Sequence, residues 1–435
     1  MIKLIHTADW HLGQTFFGYD RAREHEIFLR ALRRIISERG AELLLISGDI
    51  FDTSNPSAEA MKLYYGFLRD VTSDNPGMRV IAIAGNHDSG ARLEAPHPVL
   101  ESIDVITRGT VRRLADGTPD YSRHVVPVMR DDKTVAYCLA VPYLRAGDYP
   151  EADTYNESIS LFYKGVYDHV RILDPSGTIP IIAMGHMQTS GAALSEDDRG
   201  ERTITGGIEC VASDMFEPRT AYTALGHLHK AQRVAGRDDV RFAGSPLPMS
   251  FSERGSAKSV CYAEIAEAGE RFQERRPEHD AGSDAGEDAA PEGTPIFSDA
   301  TRRIELIPME QTAPLVRVTV DGDDIDGLSE ALRSLPEGEV GVGSPYVEMR
   351  VSVSAPEPDL RRRIEEALAG RSVRLTRIEA VATGADDAEP EVSPDLQGIN
   401  PMEMALEIFR RRYGGDMPEG MRNLLGQAIA EAQQQ

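Results

Sequence analysis

The chain has 435 residues, enough for two to three domains, and 41% of them are hydrophobic, as in ordinary globular proteins. Its 71 acidic residues exceed its 47 Lys and Arg residues, and the net charge of −24 argues against nucleic-acid binding through a broad basic surface. A local basic groove, or a site where metal ions supply the positive charge, is still compatible with this balance.

The cysteines and the apolar runs indicate the cellular compartment in which the protein is expected. Cys138, Cys210 and Cys261 are far apart and show no metal-ligand spacing, so we expect reduced thiols in a cytosolic protein. The first strand is predicted to begin at Ile2, which leaves no room for a signal peptide. No apolar run approaches the roughly 18 residues of a membrane helix. The sequence therefore predicts a soluble cytoplasmic protein.

Strands and helices are predicted to alternate at the start of the chain. Apolar runs at Ile2–Ala8, Glu42–Ser47 and Arg79–Ala84 predict buried strands. Apolar residues at helical spacing predict helices over Arg23–Arg39 and Ser57–Val71. Strands this apolar on both faces are typical of a parallel sheet covered by helices.

More strand-like runs follow, and together they extend one α/β domain over residues 1–266. These runs are Thr134–Val141, Ile179–Met184, Ala221–Leu225, Val240–Ala243 and Ser259–Ile265.

The composition changes beyond residue 266. Residues 267–300 are rich in Glu, Asp, Ala, Gly and Pro, which predicts an acidic linker. Residues 301–383 predict a small α+β domain of split βαβ type, and residues 384–395 a second linker. The strands predicted in the small domain are Arg302–Ile307, Val316–Val320, Tyr346–Val353 and Val373–Ala380, and its helices are Asp324–Leu335 and Pro358–Ala369.

A pair of amphipathic helices is predicted within residues 396–435. They run from about Pro401 to Tyr413 and from about Pro418 to Gln433, separated by two glycines. Neither helix has a core of its own, so the pair packs either on the main domain or on a partner. Partner binding is favoured, because a tethered apolar helix pair beyond a linker commonly recognises another chain.

Polar side chains follow five of the predicted strands. The carboxyl ends of parallel strands line one crevice of a sheet, so residues distant in sequence are expected to converge there. The residues in question are Asp9, His11, Asp49, Asp52, Asn86, His87, His186, His227 and His229. The remaining histidines lie outside this pattern, and we interpret them as ordinary core or surface residues: His6, His25, His97, His124, His169 and His279.

The residue types at these strand ends predict a metal centre. Imidazole, carboxylate and amide ligands without thiolate suit Mn²⁺, Fe²⁺ or Zn²⁺ and argue against a structural zinc site. Asp-x-His and His-x-His each place two side chains on the same side of an extended segment. These two pairs, with Asp49, Asn86 and His186, supply seven ligands. Seven ligands suit two ions with one bridging carboxylate, an arrangement that clamps a phosphoryl group.

In this order, the strand-end motifs resemble those of the calcineurin-like metallophosphoesterase superfamily. A closer resemblance is to the SbcD family of bacterial nuclease subunits, relatives of the archaeal and eukaryotic double-strand-break-repair nucleases. It is dense over residues 1–260 and looser beyond them. The segments that carry it are His6–Gly13, Gly48–Thr53, Ala84–Ser89 and Gly244–Pro248.

The resemblance implies metallophosphoesterase-type sheet layers flanked by helices, and two Mn²⁺ ions, with Mg²⁺ or another divalent ion as an alternative. It implies that His87 donates a proton to the leaving group, that Asp52 orients His87, and that a water between the ions is the nucleophile. The implied ligands of one ion are Asp9, His11, Asp49 and His229, and those of the other are Asp49, Asn86, His186 and His227.

The resemblance also implies the activity: a nuclease subunit of an SbcCD-like complex in DNA repair, recombination and replication. Such a subunit is an exonuclease on double-stranded DNA and an endonuclease on hairpin or single-stranded DNA. The chain lacks a Gly-x-x-x-x-Gly-Lys-Ser/Thr loop, so any ATP dependence must come from a partner. The implied partner is an SbcC-like SMC-type ATPase bound through residues 396–435, with residues 301–383 as a DNA-presenting capping domain. The implied assembly is a homodimer within a heterotetramer, with Ser57–Val71 as part of the dimer interface.

Two other functions are weighed against the nuclease. A phosphoesterase acting on a small-molecule phosphodiester or a phosphoprotein would use the same scaffold. Ser89 follows Gly85-Asn86-His87-Asp88 where many protein phosphatases of the superfamily have Arg, which favours the nuclease. A structural adaptor with a vestigial metal site is disfavoured by the complete ligand set.

Overall fold

The computed structural model describes residues 1–193, 210–271, 297–299, 301–321, 332–353 and 359–382, together with single residues and short runs between 402 and 425. The chain divides into two compact units, Met1–Thr312 and Ala313–Gln435. Four predictions fall mostly or wholly outside the described residues. These are the two linkers, the helix at Asp324–Leu335 and the C-terminal helix pair.

The described residues form both helices and strands. The helices are α1 (Ala22–Arg39), α2 (Ala58–Asp74), α3 (Gly90–Glu94), α4 (His97–Leu100), α5 (Tyr155–Leu173) and α6 (Leu360–Ala367). The strands are β1 (Ile2–Thr7), β2 (Thr15–Phe16), β3 (Tyr19–Asp20), β4 (Leu43–Ser47), β5 (Arg79–Ile83), β6 (Val105–Arg108), β7 (Val125–Arg130), β8 (Lys133–Ala140), β9 (Ile181–His186), β10 (Thr220–Gly226), β11 (Gln232–Val234), β12 (Arg237–Phe242), β13 (Lys258–Ile265), β14 (Phe297–Ser298), β15 (Arg302–Met309), β16 (Leu315–Asp321), β17 (Tyr346–Val353) and β18 (Arg374–Ala382).

Two mixed sheets form the first unit. One has the strand order β14-β15-β13-β1-β4-β5-β6, and the other has the order β11-β12-β10-β9-β8-β7. The strands β1, β4, β5 and β6 are parallel, as are β8, β9, β10 and β12, whereas the flanking strands are antiparallel. The mixed α/β class is therefore confirmed.

The two sheets pack face to face, and helices cover their outer faces. An apolar cluster contains residues from both sheets, among them Leu4 and Leu45 from the first and Cys138 and Ile182 from the second. A second cluster joins the first sheet to α1 and α2, and a third joins the second sheet to α5. The predicted strands are apolar on both faces because one face meets helices and the other meets a sheet, not because helices cover both.

Helix α5 was not predicted from the sequence, although its signals are present. Thr154 caps its N-terminus by accepting a hydrogen bond from the backbone N–H of Glu157 at 3.2 Å, which fits a capping-box sequence. The buried side chains of Ile159, Phe162 and Val166 follow at helical spacing.

One predicted strand lies in a different unit from the one expected. The sequence placed Arg302–Ile307 in the small domain, and this assignment was wrong. The strand runs over Arg302–Met309 and pairs antiparallel with β13, from Arg302 opposite Ile265 to Met309 opposite Lys258. The buried side chains of Ile304 and Ile307 extend the first unit's core. A run of alternating residues does not specify which sheet edge it will join, so its location could not be predicted.

The second unit contains a parallel sheet of order β16-β17-β18. These strands lie where Val316–Val320, Tyr346–Val353 and Val373–Ala380 were predicted. Helix α6 lies within the predicted helix Pro358–Ala369 and buries Ile364 against the sheet. Among the helices of the described residues, none has the length and apolarity to span a membrane.

Candidate metal centre

The carboxyl ends of the parallel strands in both sheets meet at one place. The loop after β1 runs beside the loop after β4, because Asp9 N donates to Gly48 O and His11 N donates to Asp49 O, each at 3.0 Å. The second sheet joins them through His186, whose Nδ1 lies 2.8 Å from the backbone oxygen of Ser47. The predicted convergence of strand ends therefore spans two sheets rather than one.

The predicted metal ligands come together in two overlapping groups. The ligand atoms of Asp9, His11 and His229 lie within 4.8 Å of one another, and so do those of Asp9, Asp49 and His186. Asp49, a member of the second group, also approaches the first: its Oδ2 is 3.3 Å from His186 Nε2 and 3.8 Å from His11 Nε2.

Asn86 and His227 complete the second group. Asn86 Oδ1 lies 2.9 Å from His186 Nε2 and 3.2 Å from His227 Nδ1. The backbone N–H of His227 donates to both oxygens of Asp9, at 2.9 and 3.2 Å. All seven predicted ligands thus lie in one cluster.

His87 and Asp52 lie beside this cluster, but their contact differs from the one predicted. His87 Nδ1 lies 2.9 Å from the backbone carbonyl oxygen of Asp52. The Asp52 carboxylate lies on His11 instead, with 3.2 Å between its Oδ1 and His11 Nδ1. Sequence alone cannot distinguish a side-chain contact from a backbone contact made by the same residue. Asp52 therefore contacts His87 through its backbone oxygen, and the orienting role of its carboxylate stays a prediction.

The polarity of the site suits bound cations. Burial, with the nearby charge of Asp49, raises the pKa of Asp9 to about 7. Burial opposes a charged His186, but the carboxylates of Asp49 and Asp9 outweigh it and raise the pKa of His186 to about 9. Asp49 Oδ2 and His11 Nε2 are buried without a hydrogen-bond partner among the described residues. A divalent ion at each group would satisfy both atoms and offset the paired carboxylates.

Several of these residues are held in a sparsely populated backbone conformation. The φ angles of Asp9, His11, Asp49 and His227 are 54°, 47°, 48° and 107°. Each such residue costs about 1–3 kcal/mol and persists only where surrounding structure enforces it. Such strain is typical of functional sites.

The glycines that precede the site residues make room for them. A Cβ at Gly85 would lie 2.1 Å from Asp49 Oδ1, and one at Gly226 would lie 2.0 Å from Ser47 O. Gly48 has a φ of 89°, and its Cβ would lie 2.3 Å from His186 Nδ1. The Gly-before-ligand pattern in the sequence therefore reflects close approach of the strand ends.

A Gly85→Ala substitution tests this crowding. We expect the free energy of unfolding to fall by about 1–3 kcal/mol and any affinity for divalent metal to fall with it, because Asp49 must move. Gly66→Ala is the matched control: it lies inside α2 with nothing within 4 Å of its Cβ position, and should raise stability by about 0.5–1 kcal/mol. Urea denaturation of both variants measures the difference. Equal stabilities would contradict the close approach.

Asp88 connects the loops that carry the ligands. Its buried carboxylate accepts hydrogen bonds from the backbone N–H groups of Ile50, Phe51 and Gly85 at 3.1, 2.9 and 2.9 Å. Burial raises the pKa of Asp88 to about 6, and the charge of Asp49 acts in the same direction. The last residue of Gly85-Asn86-His87-Asp88 thus supports the loop.

Sequence reasoning did not single out two groups of residues near the site. Lys258 is buried, donates to His229 O at 3.3 Å and to Ser245 Oγ at 2.9 Å, and pairs with Glu253. Tyr143 and Arg145 follow β8, and the Tyr143 ring lies edge-on to His186 with 6.3 Å between centroids. Because β8 is parallel to β9, Tyr143 and Arg145 also follow the carboxyl end of a parallel strand. The same strand-end pattern could therefore have identified them in the sequence.

Two family models match the chain. One, described as calcineurin-like phosphoesterase, matches residues 2–231. The other, described as type 5 capsule protein repressor C-terminal domain, matches residues 311–414.

Curated relatives agree with these matches. The D subunit of nuclease SbcCD from Rhodobacter capsulatus is 31% identical over 94% of this chain and 94% of its own length. The proteins of the same name from Escherichia coli K12 and Bacillus subtilis 168 are 32% and 31% identical over 60% of this chain. Those two matches cover 64% and 65% of the relatives' own lengths.

Proposed function

This chain belongs to the calcineurin-like phosphoesterase family, and on that premise we propose that it is the DNA nuclease subunit of an SbcCD-like complex, hydrolysing phosphodiester bonds at a two-metal centre. The single observation that carries the proposal is the pair of overlapping ligand groups: both contain Asp9, and Asp49 of the second group also approaches His11 of the first. The proposed activities are exonuclease on double-stranded DNA and endonuclease on hairpin or single-stranded DNA.

Two of the proposed histidine ligands face an acceptor through Nδ1. Nδ1 of His186 faces Ser47 O and Nδ1 of His11 faces Asp52 Oδ1, and both oxygens only accept. With an ion at Nε2, each ring would be neutral and would keep its proton on Nδ1. Two divalent ions, proposed as Mn²⁺, would neutralise phosphate oxygens and lower the pKa of a water nucleophile. Their proposed ligands are Asp9, His11, Asp49 and His229 for one and Asp49, Asn86, His186 and His227 for the other.

His87 is the proposed proton donor. Its Nδ1 faces Asp52 O, so its Nε2 carries a proton when the ring is cationic. The alkoxide leaving group of a phosphodiester can take that proton, and such help is worth about 10²–10⁴-fold in rate. The backbone N–H of His87 donates to Asp49 Oδ1 at 2.9 Å, which holds the donor beside the ligand set.

An Asp52→Asn variant separates the two possible roles of this residue. We expect Mn²⁺ affinity to fall about tenfold, because the weaker acceptor orients His11 less well. Cleavage at saturating Mn²⁺ should stay near wild type, because the backbone carbonyl still holds His87. Calorimetric Mn²⁺ titration and cleavage assays measure both. Turnover that stays low at saturating Mn²⁺ would instead assign the carboxylate to His87.

The proposed function is tested on full-length chain with hairpin DNA, linear duplex DNA and a small chromogenic phosphodiester. Cleavage of DNA should disappear with chelator and return with Mn²⁺, and Mg²⁺ should be compared with it. Each assay is run with and without an SbcC-like ATPase. Hydrolysis of the small ester but never of DNA, even with the ATPase present, would refute the nuclease and favour a small-molecule or phosphoprotein substrate.

Residues 396–435 are the proposed docking element for that SMC-type ATPase. The exposed side chains of Met421 and Leu424 support this, with 47% and 68% of their surface accessible. A chain ending at residue 395 should keep basal nuclease activity and fail to co-purify with the ATPase; retained co-purification would place the docking site elsewhere. The homodimer within a heterotetramer, the capping role of residues 301–383 and the cytoplasmic location stay predictions.

A further inference from the structure

Arg145 lies at the rim of the candidate metal centre, in the segment that follows β8. Tyr143 anchors this segment, because its backbone N–H donates to Ala84 O at 2.8 Å, two residues before Asn86. The backbone N–H of Arg145 donates to Asp148 Oδ2 at 2.8 Å and closes a turn. The bond from Tyr143 therefore fixes the start of the segment to the ligand loop, and the turn orders the residues that follow.

The guanidinium group of Arg145 is held against the loop that carries His87. Its Nη2 donates to the backbone oxygens of Asn86 and Asp88, each at 3.2 Å, and these carbonyls flank His87 in the chain. The guanidinium carbon lies 5.4 Å from the centroid of the Tyr143 ring, a cation–π distance. Loop carbonyls and an aromatic ring thus hold a positive charge in a defined position.

Among the residues that the structure describes, this positive charge has no carboxylate partner. Within the described part of the chain, Arg145 forms no ion pair with a carboxylate, and its Nε and Nη1 meet no acceptor. The residue is exposed, whereas Asp9 and Asp49 at the floor of the site have no accessible surface. The remaining N–H groups of Arg145 are therefore available at the rim in a chain whose net charge is −24.

The geometry points to a phosphate as the ligand of Arg145. We propose that Arg145 binds a DNA backbone phosphate that flanks the scissile phosphate, and so positions the strand over the metal centre. The planar fork of guanidinium N–H donors matches phosphate oxygens. The exposed position at the rim favours a flanking phosphate, because the scissile phosphate must reach the buried ligands at the floor. This assignment rests on the proposed nuclease function.

An Arg145→Ala variant, with Arg145→Lys and Arg34→Ala beside it, tests the assignment. Arg34 is the matched control, because it is 71% exposed, lies on α1 and pairs only loosely with Glu38 at 3.8 Å. Arg145→Ala and Arg34→Ala remove the same charge. Four quantities are measured on the full chain: Mn²⁺ affinity, hydrolysis of a small chromogenic phosphodiester, KM for duplex DNA, and the salt dependence of DNA binding.

Arg145→Ala is expected to raise KM for DNA about tenfold, as the loss of one charge-assisted contact implies. The slope of log Kd against log salt should fall by about one, the value for a single phosphate contact. Hydrolysis of the small ester, which has no flanking phosphate, and Mn²⁺ affinity should match wild type. Arg145→Lys should bring the KM for DNA part of the way back to the wild-type value and should restore the full wild-type salt slope. Arg34→Ala should change neither quantity.

Each other outcome overturns the assignment in a distinguishable way. If Mn²⁺ affinity and small-ester hydrolysis fall together with DNA cleavage, Arg145 only supports the ligand loop. If wild type cleaves DNA and Arg145→Ala behaves as Arg34→Ala does, the assignment fails while the nuclease function stands. If wild type neither binds nor cleaves DNA, the proposed function fails and the assignment with it.

Discussion

An Asp49→Asn variant is expected to bind divalent metal far more weakly and to cleave DNA roughly 10³-fold more slowly, because the proposed role of this carboxylate is to hold both ions, which would be worth several kcal/mol. Asp49 is fully buried between His186 and His11, and its Oδ2 has no hydrogen-bond donor among the described residues. Asparagine keeps the shape of the side chain but removes the charge that both ions would share. Metal content by mass spectrometry and kcat/KM on duplex DNA measure the loss.

The matched control for this variant is Asp168→Asn. Asp168 is 46% exposed on α5 and pairs with Lys164 and Arg171, so its loss should leave metal content and turnover unchanged. Circular dichroism of both variants would check that they are folded. Two ions per chain and full turnover in Asp49→Asn would show that this carboxylate does not bridge the metals.

A His87→Ala variant is expected to keep its metal and to lose about 10²–10⁴-fold in the rate of DNA cleavage. His87 belongs to neither of the two groups around Asp9, and its Nδ1 is occupied by Asp52 O. It does belong to a third cluster with His11 and Asp52 that is also close enough to hold an ion. Metal content therefore decides between a proton donor and a ligand.

A comparison of two substrates tests proton donation by His87 directly. A p-nitrophenyl ester leaves as a stable phenolate that needs little protonation, so its hydrolysis should fall far less than DNA cleavage in His87→Ala. An equal loss on both substrates, or loss of one ion, would contradict the proton-donor role. Wild-type protein assayed with both substrates provides the reference ratio.

The cluster of candidate ligands could be predicted because the carboxyl ends of buried strands carry a recognisable sequence pattern. An apolar run, a glycine and a polar residue mark the carboxyl end of a buried strand, and topology brings such ends together. The pattern did not reveal that His186, His227 and His229 come from a second sheet. Apolarity on both faces is the same whether a strand packs against helices or against another sheet. The division into two layers depends on long-range packing, which residue spacing does not encode.

Individual side-chain and backbone contacts could not be predicted from the sequence for a related reason. Asp52 was expected to hold His87 through its carboxylate, yet the contact uses its backbone oxygen, and every residue has one. The segment Arg302–Met309 shows an ordinary strand pattern that does not identify its neighbour. Arg145 follows a recognisable strand, but only the three-dimensional arrangement shows that its donors reach the carbonyls of Asn86 and Asp88.

The placement of the proposed ligands on two sheets would also couple metal binding to folding. Asp9, His11, Asp49 and Asn86 follow strands of the first sheet, whereas the three other histidines end or follow strands of the second. Ions bound to this set would cross-link the two sheets of the core, so the folded state should gain stability as the free metal concentration rises. We therefore expect a substitution that disturbs packing between the sheets to weaken metal affinity even when it lies far from the proposed ligands.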